Sequence, residues 1–562
     1  MRLPIRLVSL TATVLWLALA CGASAYNARP KLVVIIVIDQ FRADYLEHYH
    51  EQFGDSGFRT FLDRGAWFTN CNYGYANTRT GPGHATLLTG AYTVGHGIAA
   101  NEWWDPKKRR MVTSVQDDNT RLVGISGNKV GASPRNLLTD TLGDELKLAT
   151  LGKSRVFALS LKDRAAVLPA GYAGDAAYWI DHATGAWISS TYYQSELPGW
   201  VKEFNTSNRA NKYWDREWKD ADGALMGTTS RKGKKGADRD FYDAIGPTPF
   251  ATDYELEFAR ELILYEKLGT GDATDLLVVS LSSNDILGHD IGPGAPEMKA
   301  MALAFDRQLS EFFNFLGHQV GLANVWMAIS ADHGVAPLPS DAKKLRLPAA
   351  NLGEEKLLDQ INHSLAVKFG SPASTQFVKK LDYPLAFVDQ VAFGSRLKEE
   401  DAERAVGEAM VQVGLRGYYT RSQLARGEVA PTELGRKFAN SYSPYGGWYV
   451  MGIPAPFTVG GSTGTDHGTA YTYDTHVPLA FYGIPFQPGV YRTAVEPIDM
   501  VATFGSLLGI NAPAAASGRV LTEALVSPAR PVPGASPAHD PPPPKSKSSP
   551  ENSAPVPTGG SQ

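Results

Sequence analysis

The stretch Asn77-Thr78-Arg79-Thr80-Gly81-Pro82-Gly83-His84 puts a hydroxyl where a helix can begin. Pro82 has no N–H to lose and suits the first helical position, Ala85-Thr86-Leu87-Leu88 can continue the helix, and Gly90 can end it. A helix start attracts anions, because its unpaired N–H groups and its dipole favour negative charge. Thr80 is therefore the candidate nucleophile toward an anionic substrate. Alone, such a run is equally an ordinary loop, and its meaning depends on what the chain brings near it.

Four further groups carry acid or imidazole chemistry: Asp39, Asp285 with His289, Asp332 with His333, and Asp466-His467-Gly468. Carboxylate and neutral imidazole together suit zinc. Asp285 and His289 are four residues apart, on one face of a helical turn, and Gly288 and Gly292 favour a turn over a long helix. Asp332 and His333 are adjacent and point to opposite sides of an extended chain, so they can face two metals or two sides of one. Each group also has a plain reading, as a surface ion pair, a solvated strand end or a hydrogen-bonding core histidine. Their joint placement on strand ends and Gly-rich turns favours a metal site. Cysteine is no alternative ligand, since outside the leader only Cys71 occurs.

The elements that must position these residues are legible as apolar runs. Residues 32–38 are apolar on both faces, which is how a central parallel strand reads when helices cover both sides. The pattern recurs at 154–161, 276–281 and 325–329, with helical periodicity at 251–268 and 298–316. Strands alternating with helices predict an α/β sheet. Ligands of such sheets bind beyond the carboxyl ends of the strands, where Asp39, Lys162, Asp285 and Asp332 fall. Two stretches break the alternation. Residues 170–249 are rich in Trp, Tyr and Gly and carry Arg231-Lys232-Gly233-Lys234-Lys235, and residues 337–459 include a helical pattern at 399–413; both read as insertions before the core resumes at 477–482.

With 562 residues the chain can bury a large core, and a net charge of −4 gives no general attraction to nucleic acid, for which no binding module is visible. Met1-Arg2-Leu3-Pro4-Ile5-Arg6, an apolar run to Ala20 and Ala23-Ser24-Ala25 have the three parts of a secretory signal, so residues 1–25 are read as a cleaved leader and the protein as periplasmic or secreted. The apolar run is shorter than the roughly 20 residues of a membrane span, and lipidation at Cys21 is the alternative. Cleavage leaves Cys71 alone, without an intrachain disulfide. Residues 26–525 then form the catalytic domain, and the Pro/Ser/Ala-rich tail at 526–562 is expected to be disordered.

Val37-Ile38-Asp39, the Thr80 stretch, Gly97-Ile98-Ala99-Ala100-Asn101, Ser160-Leu161-Lys162-Asp163-Arg164-Ala165, Ser283-Asn284-Asp285 through His289, Ser330-Ala331-Asp332-His333-Gly334 and Thr465-Asp466-His467-Gly468 resemble, in order and context, the alkaline phosphatase superfamily, and within it the monomeric, exported PafA-type alkaline phosphatases. The resemblance spans roughly residues 31–509. It implies a three-layer α/β sandwich with a mainly parallel central sheet and inserted cap regions, acting on phosphate monoesters. It also implies two zinc ions, one held by Asp285, His289 and His467 and the other by Asp39, Asp332 and His333 beside Thr80. Asn101, Lys162 and Arg164 would hold the phosphoryl oxygens, with Lys162 and Arg164 on one side of an extended segment. His476, in Thr475-His476-Val477-Pro478, competes with His467, which the flanking glycines favour.

A phosphodiesterase or nucleotide pyrophosphatase shares this core and is the nearest alternative, but Lys162 and Arg164 favour a dianion over a diester. A sulfatase would need a Cys or Ser where Thr80 stands. A noncatalytic metal- or phosphate-binding exported protein is the alternative from another class.

Overall fold

Strand β1 (Leu32–Ile38) is built from one leucine and six β-branched residues, all buried, so both of its faces are covered. The computed structural model describes residues 29–230, 238–394 and 397–526. The leader, the basic cluster at 231–235 and the tail beyond Val526 lie outside the described residues. Around β1 run β2 (Val156–Ser160), β3 (Ala176–Asp181), β4 (Asp275–Leu281) and β5 (Val325–Ser330), in the parallel order β5-β1-β4-β2-β3. Strand β6 (Leu479–Tyr482) joins β5 antiparallel, and shorter strands extend both flanks into an eleven-stranded sheet.

The register of this sheet builds the site. Val37 pairs with Ser280 on β4 and with Ser330 on β5, and Ser280 pairs with Ser160 on β2. Two residues further along three of these strands stand Asp39, Lys162 and Asp332, delivered side by side at the carboxyl edge. Helix α1 (Thr80–Thr89) starts at Thr80, so Pro82 occupies its third position rather than the first; no bond is lost, because the first four helical N–H groups have no partner within a helix. Gly90 closes α1 in the left-handed conformation, at φ 66°.

Helix α2 (Asp163–Ala170) begins directly after Lys162, which corrects the extended segment expected there: Lys162, still extended, is the residue before the first turn, and Arg164 lies in that turn. The long helices are α3 (Pro249–Tyr265) and α5 (Pro296–Gln319), and between them α4 (Ser283–Ile291) carries Asp285 and His289 on a nine-residue helix rather than a turn.

The stretch 170–249 is not all insertion, since β3 and the strand Ala186–Ser190 belong to the main sheet. Within 337–459, the strands Val378–Asp382, Leu385–Val388, Trp448–Ile453 and Gly417–Thr420 form a separate antiparallel sheet. Helices Glu354–Phe369 and Glu399–Gln412 share with it a core of its own that includes Ile361, Phe377, Val406 and Val450. None of the described helices is long and apolar enough to cross a membrane.

One buried acid ties the site-bearing strands to the helical layer. Glu255 of α3 is fully buried and accepts the N–H of Leu161 at 3.1 Å, one residue before Lys162. Burial pushes its carboxyl well up, against the pull of the Leu161 and Ser282 N–H groups. Glu255→Ala leaves a buried N–H without its acceptor and is expected to cost about 1–3 kcal/mol in urea unfolding, whereas Glu255→Gln keeps an acceptor and most of the stability.

Candidate metal centre and nucleophile

Six carboxylate and imidazole side chains meet at the carboxyl edge of the sheet in two adjoining sets. In the first, His289 Nε2 is 3.2 Å and His467 Nε2 is 3.8 Å from Asp285 Oδ1. In the second, His333 Nε2 is 3.5 Å from both Asp39 Oδ1 and Asp332 Oδ2. These last three atoms are buried and none has a hydrogen-bond partner. Buried polar atoms without hydrogen bonds are what an apolar interior does not tolerate, and a cation bound beside His333 Nε2 would satisfy them. The sets adjoin through Asp285, since Asp39, Asp285 and His333 also offer atoms within 4.8 Å of one another.

The histidines are oriented alike. His289 donates from Nδ1 to Thr465 O (3.0 Å), His333 to Gly334 O (2.9 Å) and His467 to Thr78 O (2.7 Å), which fixes the proton on Nδ1 and turns Nε2 toward the carboxylates. That is how metal-binding imidazoles are held. The His333 and His467 rings stack with centroids 3.6 Å apart. His476 is elsewhere, with Nε2 against Thr69 O at 3.0 Å, so the geometry favours His467 over it. The short helix α4 supplies the four-residue spacing of Asp285 and His289, and Gly464 lets the loop before His467 press onto the His289 carbonyl, where an added Cβ would come within 2.2 Å.

Lys162 closes the centre, its Nζ 2.6 Å from Asp39 Oδ2 and 2.5 Å from Asp285 Oδ2. Burial works against its charge, but the two carboxylates hold its pKa above the ordinary value, with Arg164 acting in the opposite sense. Burial, then the neighbouring Asp285 and Asp332, push the Asp39 carboxyl well up. Asp332 is brought down to about 2, against its burial, by His333 and His84. Burial keeps His333 and His467 neutral, whereas His289, despite burial, is carried up to about 10 by Asp285.

Thr80 is buried at the first position of α1, on the same edge. Gly83, one turn on, packs against Asp332 so closely that an added Cβ would lie 2.3 Å from the Asp332 carbonyl oxygen. Asn101 Oδ1 accepts the Gly81 N–H at 2.7 Å, which brings Asn101 to the same helix start. Arg164 Nη1 is 3.8 Å from Asp163 Oδ1, and its buried Nε has no hydrogen-bond partner.

Known proteins resemble this chain over most of its length. The model of the type I phosphodiesterase / nucleotide pyrophosphatase family matches residues 33–383. Alkaline phosphatase PhoV of Synechococcus elongatus is 32% identical, covering 89% of this chain and 93% of that protein. Alkaline phosphatase PafA of Elizabethkingia meningoseptica is 33% identical, covering 90% and 96%. The chain belongs to this family, within the alkaline phosphatase superfamily. A crystal structure of PafA matches the fold with a TM-score of 0.78 at 31% identity, over 89% of this chain and 99% of that one.

Two residues of this superfamily member's site escaped sequence reasoning. Gln40, a non-glycine residue at φ 63°, donates its N–H to Asp332 Oδ1 (3.1 Å) and its Nε2 to Asp285 Oδ1 (2.8 Å). Such a conformation persists only where the surroundings over-determine it. His84 places Nδ1 2.9 Å from Thr80 O and 3.2 Å from Asp332 Oδ2, with Nε2 2.7 Å from Ser280 Oγ. The available signal was position: Gln40 follows the first strand-end acid, and His84 lies one helical turn from Thr80.

Two outcomes follow. A metal ligand must be neutral imidazole, and His289, with its pKa near about 10 before metal binds, is charged below that pH. Zinc titration near pH 8 should therefore release a proton from His289, and affinity should rise roughly tenfold per pH unit below that pKa; calorimetry in buffers of different ionisation enthalpy reads this, and fewer protons released by His289→Ala than by the parent protein is the control. Gly83→Ala should push α1 off Asp332 and lower turnover by about 100-fold, since displacements near 1 Å have that effect.

Proposed function

We propose that this chain is an exported alkaline phosphatase that holds two zinc ions and hydrolyses phosphate monoesters through a Thr80 phosphoenzyme. The observation that carries the reading is a pair of mutually close donor groups, Asp285 with His289 and His467, and Asp39 with Asp285 and His333, with Asp332 beside the second, closed by Lys162 and adjoining the helix start at Thr80. Asp285, His289 and His467 would hold one ion, and Asp39, Asp332 and His333 the other beside Thr80. Such ions, when bound, supply Lewis-acid charge neutralisation and lower the pKa of oxygens they touch.

The chain's own residues do the rest. A monoester dianion repels nucleophiles, and its uncatalysed hydrolysis is among the slowest reactions, with enzymatic accelerations up to about 10²¹-fold. Thr80 Oγ1 attacks phosphorus as the bond to the ester oxygen breaks; water then attacks the phosphothreonine, returning the hydroxyl and releasing inorganic phosphate. At the first position of α1, Thr80 presents the phosphoryl group to the positive end of the helix dipole. The Gly81 N–H holds the Asn101 carbonyl oxygen, which leaves Nδ2 to donate to a phosphoryl oxygen. With Asp39 and Asp285 holding cations, the Lys162 ammonium would be free to donate to the same group, and the Arg164 guanidinium, whose Nε has no hydrogen-bond partner, offers a second, two-pronged donor.

The names of the full-length relatives PhoV and PafA support phosphatase activity, the leader-like residues 1–25 support export to the periplasm or medium, and the PafA-type resemblance supports a monomer. A diesterase is the second reading, favoured by the description of the matching family. Lys162 and Arg164 weigh against it, because two extra cations reward the second negative charge that a diester lacks.

Purified enzyme should hydrolyse p-nitrophenyl phosphate much faster than its methyl or bis ester, lose activity to a chelator and regain it with zinc; equal or greater diester turnover reverses the assignment. Thr80→Ala should keep zinc and lower kcat by a factor on the order of 10³ or more. Arg164→Ala should reduce monoesterase activity far more than diesterase activity. An active Thr80→Ala variant removes the nucleophile from the scheme.

A further inference from the structure

Beside Lys162 and Arg164 opens a cavity of about 420 Å³ whose remaining wall is largely carbon: Leu161, Ile180, Ala210, Ile245, Ile286 and the ring of Tyr254. The Tyr254 hydroxyl is engaged, donating to Gly185 O at 2.9 Å, and the Tyr242 hydroxyl lies 3.4 Å from Asn211 Oδ1, so neither is a free donor at the cavity. Leu161 and Ile286 flank Lys162 and Asp285 in sequence, whereas neither Thr80 nor Asn101 contributes to the wall. The cavity therefore opens at Lys162 and Arg164, reaches Asp285 only through its neighbour Ile286, and takes no wall from the attacking Thr80. In an in-line displacement the departing oxygen leaves on the side opposite the nucleophile.

We infer that this cavity receives the alcohol portion of the phosphate monoester, so that esters of neutral aromatic or bulky apolar alcohols are the favoured substrates. This rests on the phosphatase reading above. The volume is that of a small-molecule site, and an apolar wall beside a few placed cations is the usual composition of one. Asp243, half-exposed at the cavity, is answered by His182 Nδ1 at 3.2 Å and Arg239 Nε at 3.4 Å, so among the described residues the wall beyond Lys162 and Arg164 offers no free cation to a charged alcohol.

The test compares benzyl phosphate with methyl phosphate, whose alcohols are of similar acidity, so that chemistry alone predicts similar rates. The zinc-loaded enzyme should favour the benzyl ester in kcat/KM by about tenfold or more, the scale of discrimination in an apolar pocket. Benzylphosphonate, which cannot be hydrolysed, should inhibit more tightly than methylphosphonate by a similar factor. Ala210→Phe should collapse both ratios, and Ile180→Ala should shift the preference from benzyl toward naphthylmethyl esters; thermal unfolding of each variant separates this from misfolding. Equal ratios in wild-type enzyme, or ratios unmoved by both folded variants, overturn the cavity assignment. Failure to turn over either ester would instead overturn the phosphatase reading.

Discussion

Three carboxylates, Asp39, Asp285 and Asp332, are buried side by side at one edge of the sheet. Like charges out of water are costly, by several kcal/mol per ion in real proteins, unless cations or hydrogen bonds answer them. The surroundings supply a Lys162 ammonium shared by two of them, imidazoles against all three, and the Gln40 N–H groups on two. What they do not supply is a hydrogen bond to Asp39 Oδ1, and Asp332 Oδ2 meets only the imidazoles of His84 and His333. Without a bound cation the balance is kept by Lys162, by His289 and by an Asp39 carboxyl pushed well up by its burial, and the orphaned atoms are where a metal ion would take over.

Sheet register places the acids, and the short elements after each strand turn their partners inward. The two outer regions also bear on the centre. Arg79, directly before Thr80, is buried with Nη1 3.0 Å from Asp382 Oδ1, and Nη2 donates to the Asp382 and Tyr383 carbonyls. The helix start at Thr80 is thereby anchored to the second, antiparallel sheet, giving that region a positioning role in addition to any as a cover. On the other side, the stretch after α2 contributes Ile180, His182 and Ala210 to the cavity beside Lys162.

Much of this was legible in the chain itself. The apolar runs marked β1, β2, β4 and β5 because strands buried on both faces have no polar alternation to blur them, and the acids at their ends stood out for the same reason. The spacing of Asp285 and His289 was read correctly as one face of a turn, although the helix that carries them is longer than its glycines suggested. The strands at 176–190 were hidden because their aromatic and glycine content resembles that of a surface insertion, and only pairing with β2 reveals them as sheet. Gln40 and His84 were not legible because their importance lies in contacts across more than a hundred residues of sequence, to Asp285 and Asp332, which no local pattern encodes. The helical start at Asp163 was missed because Lys162-Asp163-Arg164 carries too little periodicity to separate a first turn from an extended strand end.

Zinc-edge anomalous diffraction from crystals of the metal-loaded protein tests the central claim most directly. Two peaks per chain are predicted, one contacted by Asp285, His289 and His467 and the other by Asp39, Asp332 and His333. A single peak, or ions bound away from the three orphaned atoms, would contradict the account.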